Sequence, residues 1–364
     1  MYDYLIVGAG LYGAVFARQA ADAGKKVLVV DKRDHIAGNV YTEKIEGINV
    51  HRYGAHIFHT NNKRVWEYLN RFTEFNRFTN SPVANYNGEL YSLPFNMYTF
   101  NKMWGVVTPD EARKMIEKQK QAAGISKAHN LEEQAISLVG TDIYEKLIKG
   151  YTMKQWGQKP EEISPEVTGR VPVLISYDNR YFQDKYQAIP AEGYTKMAER
   201  MLDNPLIRTE LNTDFNDVRG STDYERLFYT GPIDEFFDFE LGELPYRSLD
   251  IVFRRHDRAF YQSGPQINYP ENYDFTRSVE YKYYLDEQTA QTIVSEEYPQ
   301  AYEAGRNERY YPVPDAKNHE LYRRYRRKAD GLEKVYFAGR LGDYKYYNMD
   351  EAVKRALELF EEIR

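Results

Sequence analysis

The first thirty residues combine short apolar runs with a helical pattern of small residues. Residues 4–7 and 27–30 are apolar, and runs of this length are typical of buried strands. Between them Ala14, Ala17 and Ala21 share one face of a predicted helix. The pattern therefore predicts a strand, a helix and a second strand, the unit from which parallel sheets are built.

Later apolar runs predict two groups of strands. Residues 223–231 and 335–339 each read as a strand that ends at a glycine, and we expect both to rejoin the first sheet. Between them, residues 247–254, 279–284 and 292–298 read as strands of a second, antiparallel sheet. The chain thus predicts two different sheets.

The middle of the chain predicts a helical insertion. Thr108 to Glu111 form a capping box with proline at the first helical position, so a helix runs to about residue 123. Asn130 caps a predicted helix at 131–139, and a third follows at 142–149. Residues 158–172 contain three prolines and read as a mobile loop.

These elements predict an α/β fold with a Rossmann-type domain, a helical insertion and an antiparallel sheet domain; the glycine motif and the family resemblance given below imply that the first is an FAD-binding Rossmann-type domain and that the last is a twisted antiparallel sheet domain. The expected boundaries are 1–78 with 190–240 and 330–364 for the nucleotide domain, 79–175 for the helical domain with its substrate loop, and 176–189 with 241–329 for the sheet domain.

Gly8, Gly10 and Gly13 follow the first predicted strand, and Asp31 ends the second. This order is the dinucleotide-binding fingerprint, in which the glycines permit a tight turn, close approach of a pyrophosphate and close helix packing. The acid about twenty residues later is placed for a ribose hydroxyl. A chance glycine turn is the alternative, and the ordered context disfavours it.

The residues after the acid separate NAD from FAD. Arg33 and the pair Ala37-Gly38 resemble the extended FAD fingerprint, although alanine stands where that pattern has its first glycine. The alternative is a surface loop with an Ala-Gly turn.

Composition excludes several classes of site. The 364 residues contain no cysteine, which rules out disulfides, thiolate zinc sites, iron–sulfur ligation and a cysteine nucleophile. His51, His56 and His59 lack a dense carboxylate cluster, so we expect no metal site. No run approaches the ~18 apolar residues of a membrane span, so we expect a soluble, cytoplasmic protein with no membrane partner.

Net charge argues against nucleic acid as a partner. The chain carries 49 Lys and Arg against 55 Asp and Glu, a formal charge of -6. The basic segment 322–328 is therefore interpreted as the solvated face of a helix. The 34 tyrosines are the unusual feature, because each offers a flat apolar face and a hydroxyl that can reach a phosphate or sugar.

Longer motifs resemble one family, the bacterial UDP-galactopyranose mutases. They are RYGAHIFHTN at 52–61, GYTMKQWG at 150–157, LFYTGPIDEFFDF at 227–239 and FAGRLGDYKYYNMDEAV at 337–353. The resemblance covers essentially the whole chain. It implies an isomerase that interconverts UDP-galactopyranose and UDP-galactofuranose for cell-surface glycans, with reduced FAD N5 as nucleophile, no net redox change, an external reductant such as NAD(P)H, and a homodimer.

The resemblance also implies site residues. The leaving group is a pyrophosphate, so fixed cations and hydroxyl donors are expected near it. The expected catalytic residues are Arg170, Arg277 and His59. The expected substrate-binding residues are Asn80, Tyr151, Thr152, Trp156, Tyr181, Asn268, Tyr311 and Tyr346. The expected cofactor-binding residues are Gly8, Gly10, Leu11, Tyr12, Gly13, Asp31, Lys32, Gly38, Asn39, His56, Ile57, Arg340, Tyr347, Asn348 and Met349. Some family members have aspartate in place of Asn348, so a carboxylate role there does not transfer.

Two other functions share this domain plan. An FAD oxidase of the amine-oxidase type would not need paired phosphate arginines. A binding protein like the GDP-dissociation inhibitors would have the fold without FAD, and the intact glycine fingerprint with Asp31 argues against it.

Overall fold

The computed structural model describes residues 1–165, 167, 173–271 and 273–364. The chain forms two compact units. The first comprises Met1–Arg77, Asp184–Pro245 and Tyr311–Arg364, and the second comprises Phe78–Gln183 and Tyr246–Tyr310. The expected division into three domains stays a prediction.

The strands are β1 (Tyr2–Val7), β2 (Val27–Val30), β3 (Thr42–Ile45), β4 (Ile48–His51), β5 (Phe58–Thr60), β6 (Val83–Tyr86), β7 (Glu89–Ser92), β8 (Tyr186–Ala188), β9 (Ile207–Glu210), β10 (Tyr224–Tyr229), β11 (Tyr246–His256), β12 (Gln266–Asn268), β13 (Arg277–Glu280), β14 (Thr292–Ala301), β15 (Tyr311–Pro312) and β16 (Val335–Phe337). The α-helices are α1 (Leu11–Asp22), α2 (Lys63–Leu69), α3 (Met97–Trp104), α4 (Pro109–Ala122), α5 (Leu131–Val139), α6 (Thr141–Ile143), α7 (Lys149–Trp156), α8 (Tyr194–Leu202), α9 (Phe215–Val218), α10 (Ile233–Phe236), α11 (Ala316–Ala329), α12 (Gly339–Gly342) and α13 (Met349–Ile363). A π-helical turn, Tyr144–Ile148, joins α6 to α7.

A parallel sheet with the order β16-β10-β1-β2-β9 organises the first unit. The two strands predicted to rejoin the N-terminal sheet, β10 and β16, do so and are confirmed. Two small antiparallel pairs, β3 with β4 and β5 with β8, form separate sheets of the same unit. The central strands β1 and β2 are almost wholly apolar because both faces of a parallel sheet are covered.

Helix α1 connects the sheet to the last helix through aromatic packing. Phe16 is fully buried, and its ring centroid lies 4.2 Å from that of Phe228 on β10 and 5.8 Å from that of Phe360 on α13. Burying such rings stabilises the unit by roughly 1.5–3 kcal/mol per side chain. The apolar stripe predicted on the last helix is confirmed, since Val353 and Leu357 are buried with Phe360.

The second unit contains a mixed sheet in the order β11-β14-β13-β12-β6-β7. All pairs are antiparallel except β12 with β6. The expected strands at 247–254 and 292–298 are confirmed. The expected strand at 279–284 is wrong beyond Glu280, where the chain forms a 3-10 helix, Tyr281–Tyr284. There the buried Lys282 ammonium donates to the Ala259 and Thr289 carbonyls, a requirement that strand propensity does not reveal.

The helices of the second unit pack on its β6–β7 hairpin. The Thr108 capping box and the Asn130 cap are both formed, as predicted. The third helix was expected to end at residue 149, but helical structure continues through the π-helical turn and α7 to Trp156. Within the described residues, no helix is long and apolar enough to cross a membrane.

Candidate active site

The glycine turn between β1 and α1 is shaped by close backbone approach. Gly8 has φ +106°, and a Cβ there would lie 2.1 Å from Thr230 Oγ1. A Cβ on Gly13 would lie 2.0 Å from Gly8 O. An alanine at position 13 would require the backbone to move, and one at position 8 would require Thr230 to move and an L-residue to adopt a positive φ, so the protein itself requires these two glycines.

Gly10 differs, because the surrounding protein leaves room for a side chain. A Cβ there would lie 3.8 Å from Gly38 Cα, an ordinary contact distance. In contrast, Gly38 has φ +55° and its Cβ would lie 2.9 Å from Gly10 Cα. Ala37 precedes it in the left-handed region at φ 70°. Glycine at position 10 thus leaves the open space that a bound pyrophosphate needs at a helix N-terminus, where Leu11 begins α1.

Asp31 stands at the end of β2 and organises this turn. Its Oδ2 accepts from Ala9 N at 2.7 Å, and its Oδ1 accepts from Arg33 N at 3.0 Å. Arg33 donates both terminal nitrogens to Asn39 Oδ1 at 3.0 Å and lies over the Tyr53 ring. The acid, the arginine and Asn39 are therefore brought together in a charged, partly open loop.

Lys32 points elsewhere, since its Nζ lies 4.0 Å from Glu235 Oε1 on α10. Its side chain is about half exposed, so it is available to an anionic ligand at little cost.

His56 and Ile57 follow β4 in a turn whose backbone is held by two side chains. His56 N donates to His51 Nδ1 at 3.1 Å, and Tyr194 OH donates to His56 O at 3.1 Å. Burial lowers the pKa of His51 to about 3, so this imidazole is a neutral acceptor. Ile57 is 8% exposed, which makes it an apolar neighbour for a flat ring.

His59 on β5 has a carboxylate partner that sequence reasoning missed. Its Nδ1 lies 2.7 Å from Asp184 Oδ2, and Asn61 donates to Asp184 Oδ1 at 2.6 Å. A carboxylate only accepts hydrogen bonds, so Nδ1 carries a proton. Asp184 thereby fixes the ring's orientation and tautomer.

The glycine-rich turn after β16 collects the arginine and tyrosines of the C-terminal motif. Gly339 has φ +78° and begins α12. The Arg340 guanidinium lies 5.0 Å from the centroid of the Tyr346 ring, and the ring centroids of Tyr346 and Tyr311 are 5.6 Å apart. The two predicted substrate-binding tyrosines of the first unit are thus neighbours, with Arg340 beside them.

The two remaining tyrosines of this motif are anchors. Tyr344 is buried and donates to the carbonyls of Pro245 and Val313 at 2.7 and 3.2 Å. Tyr347 donates to Asp343 Oδ2 at 3.2 Å. Asp343 also pairs with Arg355 at 2.8 Å, yet burial raises the pKa of the Asp343 carboxyl.

This buried group extends to the glycine turn, because Tyr12 OH lies 3.5 Å from Arg355 O on α13. Burial raises the pKa of both Tyr12 and Tyr347, so both phenols stay protonated. Asn348 is the cap residue of α13 and Met349 its first residue, so both lie at a helix N-terminus. The predicted cofactor residues of the two chain ends therefore meet in one unit.

In the second unit, helix α7 carries three predicted substrate residues. Thr152 is buried, and Tyr151 and Trp156 are half-buried. Trp156 ends the helix, and Gly157 follows in the left-handed conformation with φ 65°. Arg247 on β11 donates to Gln155 O at 3.0 Å, which satisfies one carbonyl of the last turn.

Asn80 and Tyr181 are linked through the backbone, since Tyr181 N donates to Asn80 O at 2.8 Å. Asn80 is 2% exposed. Its Oδ1 has no hydrogen-bond partner in the part of the chain that the structure describes. A buried amide oxygen of this kind is costly unless something else donates to it, which favours a ligand contact.

Asn268 and Arg277 lie directly opposite each other on β12 and β13. Arg277 Nε donates to Glu297 Oε2 at 2.9 Å, and its Nη2 lies 2.5 Å from the same oxygen. Glu297, on β14, is 2% exposed, and its other carboxylate oxygen has no partner among the described residues. This buried ion pair orients the guanidinium, and sequence reasoning missed the glutamate.

Arg170 lies outside the described residues. Elsewhere, in the residues that the structure does describe, no group of three or more His, Asp or Glu side chains forms a metal site.

Comparisons with known proteins agree with the motifs. A sequence profile for UDP-galactopyranose mutase matches residues 146–346, and one for NAD(P)-binding Rossmann-like domains matches residues 6–72. A probable UDP-galactopyranose mutase of Klebsiella pneumoniae is 38% identical over 366 residues, covering 99% of this chain and 94% of that one. The chain belongs to the UDP-galactopyranose mutase family.

Other relatives mark the breadth of this family. A dTDP-fucopyranose mutase of Escherichia coli is also 38% identical, over 98% of this chain and 97% of its own length. A crystal structure of a reduced UDP-galactopyranose mutase superposes with a TM-score of 0.78 at 15% identity, covering 100% of this chain and 95% of that one, which supports the fold. Family membership confirms the predicted α/β fold and isomerase class, and it implies a flavin cofactor.

Proposed function

We propose that the protein interconverts UDP-galactopyranose and UDP-galactofuranose by a ring contraction without net redox change, and that it supplies galactofuranose for cell-surface glycans. The observation that carries this proposal is the similarity to a probable UDP-galactopyranose mutase along 99% of the chain.

FAD is the proposed cofactor. The space at Gly10 and the N-terminus of α1 fit a pyrophosphate, and Asp31, Arg33 and Asn39 fit the adenosine end. His56, Ile57 and the N-terminus of α13 are proposed to line the flavin. In its reduced form, FAD supplies a nucleophilic nitrogen, N5, for the anomeric carbon of the sugar.

The chain's own residues are proposed to hold the nucleotide and its departing pyrophosphate. Arg277 suits this role because its charge is permanent and the Glu297 carboxylate fixes its fork. Tyr181, Tyr311 and Tyr346 are proposed hydroxyl partners, while Asn80, Asn268, Tyr151, Thr152 and Trp156 are proposed to bind the remaining substrate groups. Arg170 is proposed as the second phosphate arginine, and His59 is proposed to act near the flavin ring.

Anaerobic incubation with UDP-galactofuranose, with and without dithionite, tests this function. The sugar nucleotides are resolved by chromatography. We expect UDP-galactopyranose only when the flavin is reduced. No conversion by fully reduced, flavin-loaded protein would contradict the proposal, and oxygen-consuming turnover of an amine would favour the oxidase alternative.

The dTDP-fucopyranose mutase, which is equally similar to this chain, supports dTDP-fucose as a second candidate substrate. The same assay run with dTDP-fucofuranose at matched concentration separates the two. We expect the ratio of kcat/KM values to favour the uridine nucleotide, and a reversed ratio would reassign the substrate while leaving the reaction class unchanged.

The external reductant such as NAD(P)H, the homodimer and the cytoplasmic location stay predictions. Oxidation of NADH and NADPH by the flavin-loaded protein and its mass in solution test the first two.

A further inference from the structure

Lys154, in the GYTMKQWG motif, has no role in the proposed substrate binding, yet its ammonium makes several hydrogen bonds. Its Nζ donates to the backbone carbonyls of Tyr269, Tyr273 and Phe275, the latter two at 2.8 and 3.1 Å. An ammonium group has three donors, so these three acceptors satisfy it completely. All three carbonyls belong to the turn between β12 and β13.

The same turn approaches α7 at a second point, one helical turn earlier. A Cβ on Gly150 would lie 2.3 Å from Pro270 O and 2.6 Å from Glu271 Oε1. Residues 150 and 154 lie on one face of the helix, four positions apart. Gly150, which has no side chain, therefore allows the turn to pack against the backbone of the helix. Lys154 then donates hydrogen bonds to the carbonyls of that turn.

The turn joins two proposed substrate residues. Asn268 and Arg277 form the last pair of the hairpin ladder, and Tyr269 N donates to Thr276 O at 2.8 Å to close the turn. Moreover, Thr276 N donates to Glu297 O at 2.9 Å. The position of Arg277 is thus tied to the turn on one side and to β14 on the other.

We propose that Lys154 is a positioning residue, which holds Arg277 at a fixed place relative to the nucleotide-binding side chains of α7. The proposal rests on the proposed function, because it assumes that Arg277 binds the pyrophosphate of a nucleotide. Lys154 itself touches only backbone oxygens, so it acts through the turn.

UDP affinity, measured by calorimetry with the flavin-loaded protein, tests the proposal through a double-mutant cycle. Lys154→Met should weaken UDP binding roughly tenfold, about the worth of one charge-assisted contact. Arg277→Ala should weaken it similarly. If Lys154 acts through Arg277, the double variant should bind UDP within about threefold of Arg277→Ala. Losses that multiply would overturn the proposal.

Lys282→Met is the matched control. That lysine is fully buried whereas Lys154 is half-buried, but it lies in the same unit and its ammonium likewise donates to backbone carbonyls, two of them at 2.7 Å. Both variants lose an ammonium that donates to backbone carbonyls, so both should unfold at lower temperature. Only Lys154→Met should lose UDP affinity; an equal loss in Lys282→Met would reduce the role of Lys154 to general stability.

If Lys154→Met does not fold, the pH dependence of UDP affinity tests the proposal without an apolar replacement. Burial lowers the pKa of Lys154 to about 8, while Glu271 and Asp274 on the facing turn oppose this shift. UDP affinity of the unmodified protein should therefore fall as pH rises through 8. In Lys154→Arg, whose charge does not titrate there, the fall should be absent. An identical fall in both proteins, or no fall in either, would refute the proposal.

These results are distinguishable from failure of the proposed function. If the unmodified protein binds UDP but converts no sugar nucleotide, the mutase assignment fails while the cycle still reports on Lys154 and Arg277. If it does not bind UDP, both fail together.

Discussion

The glycine turn between β1 and α1 in the first unit and the β12–β13 hairpin that carries Arg277 in the second are proposed to bind charged groups by opposite means. Around Gly8, Gly10 and Gly13 the protein offers backbone groups and empty space, with side chains removed. Around Arg277 it offers a guanidinium whose position depends on Glu297 and, we propose, on Lys154. Backbone sites need particular residues at fixed spacing, whereas side-chain sites need partners that are distant in sequence.

The largest effect is expected when Arg277, the centre of the proposed side-chain site, is replaced. Arg277→Ala should lower kcat/KM by roughly 10²–10³-fold, the usual cost of removing a donor to developing negative charge. Bound flavin should be unchanged, as measured by absorbance per polypeptide. Arg254→Ala is the control, because Arg254 pairs with Glu296 at 2.8 Å on the same sheet but is half exposed. Near-normal turnover of Arg277→Ala would end its assignment.

The backbone site is tested by two glycines that should behave differently. Gly13→Ala should destabilise the protein by roughly 1–3 kcal/mol, because its Cβ would overlap Gly8 O. Gly10→Ala meets no such contact, so the flavin-free protein should unfold at an unchanged temperature while flavin affinity falls. Thermal unfolding with and without FAD separates the two, and equal destabilisation of both flavin-free variants would contradict this account.

The same difference determines how much of the molecule was predictable from sequence. The glycine fingerprint, the Thr108 capping box and the strands β10 and β16 each have a local signature, and the structure contains them. The helix predicted at 142–149 ended too early, because Gly150 lies inside the helical structure, where it permits close packing, and Gly157 ends the helix.

The site was less predictable than the fold. The site residues were predicted from the family motifs, but the carboxylates that pair with two of them were not. Asp184 is 125 positions from His59, and Glu297 is 20 positions from Arg277. Neither carboxylate has a local pattern that distinguishes it from a surface residue; only the folded chain brings each to its partner. Hydrogen-bonded partners that are this far apart along the chain therefore could not be identified from one sequence.

A smaller effect is expected at α7, the helix proposed to bind the nucleotide. Trp156→Ala should weaken UDP binding roughly tenfold, the scale of one lost base–aromatic stack. Flavin content should not change, because Trp156 belongs to the second unit. Met153→Ala, an exposed position on the same helix, should bind UDP normally. Unchanged affinity in Trp156→Ala would assign this tryptophan to packing alone.

A pH-dependent effect is expected at a buried side chain elsewhere in the first unit. His51 is buried and its pKa is lowered to about 3, so the unfolded chain binds more protons than the folded chain between that value and the ordinary value of 6.5. Stability should therefore fall as pH falls from 6.5, by at most about 1.4 kcal/mol per pH unit for one proton. In His51→Asn, whose amide oxygen can still accept from His56 N, this contribution should disappear.

Urea unfolding of the flavin-free protein between pH 5 and 7 measures the slope, with His129→Asn as an exposed-histidine control. A shallower slope in His51→Asn alone would show that the stability of the first unit also depends on a buried side chain. That side chain is the neutral His51 imidazole, which holds the His56 turn. An unchanged slope would mean that another group governs acid stability. The contrast between a proposed cofactor site built from backbone and a proposed substrate site built from side chains would then be sharper.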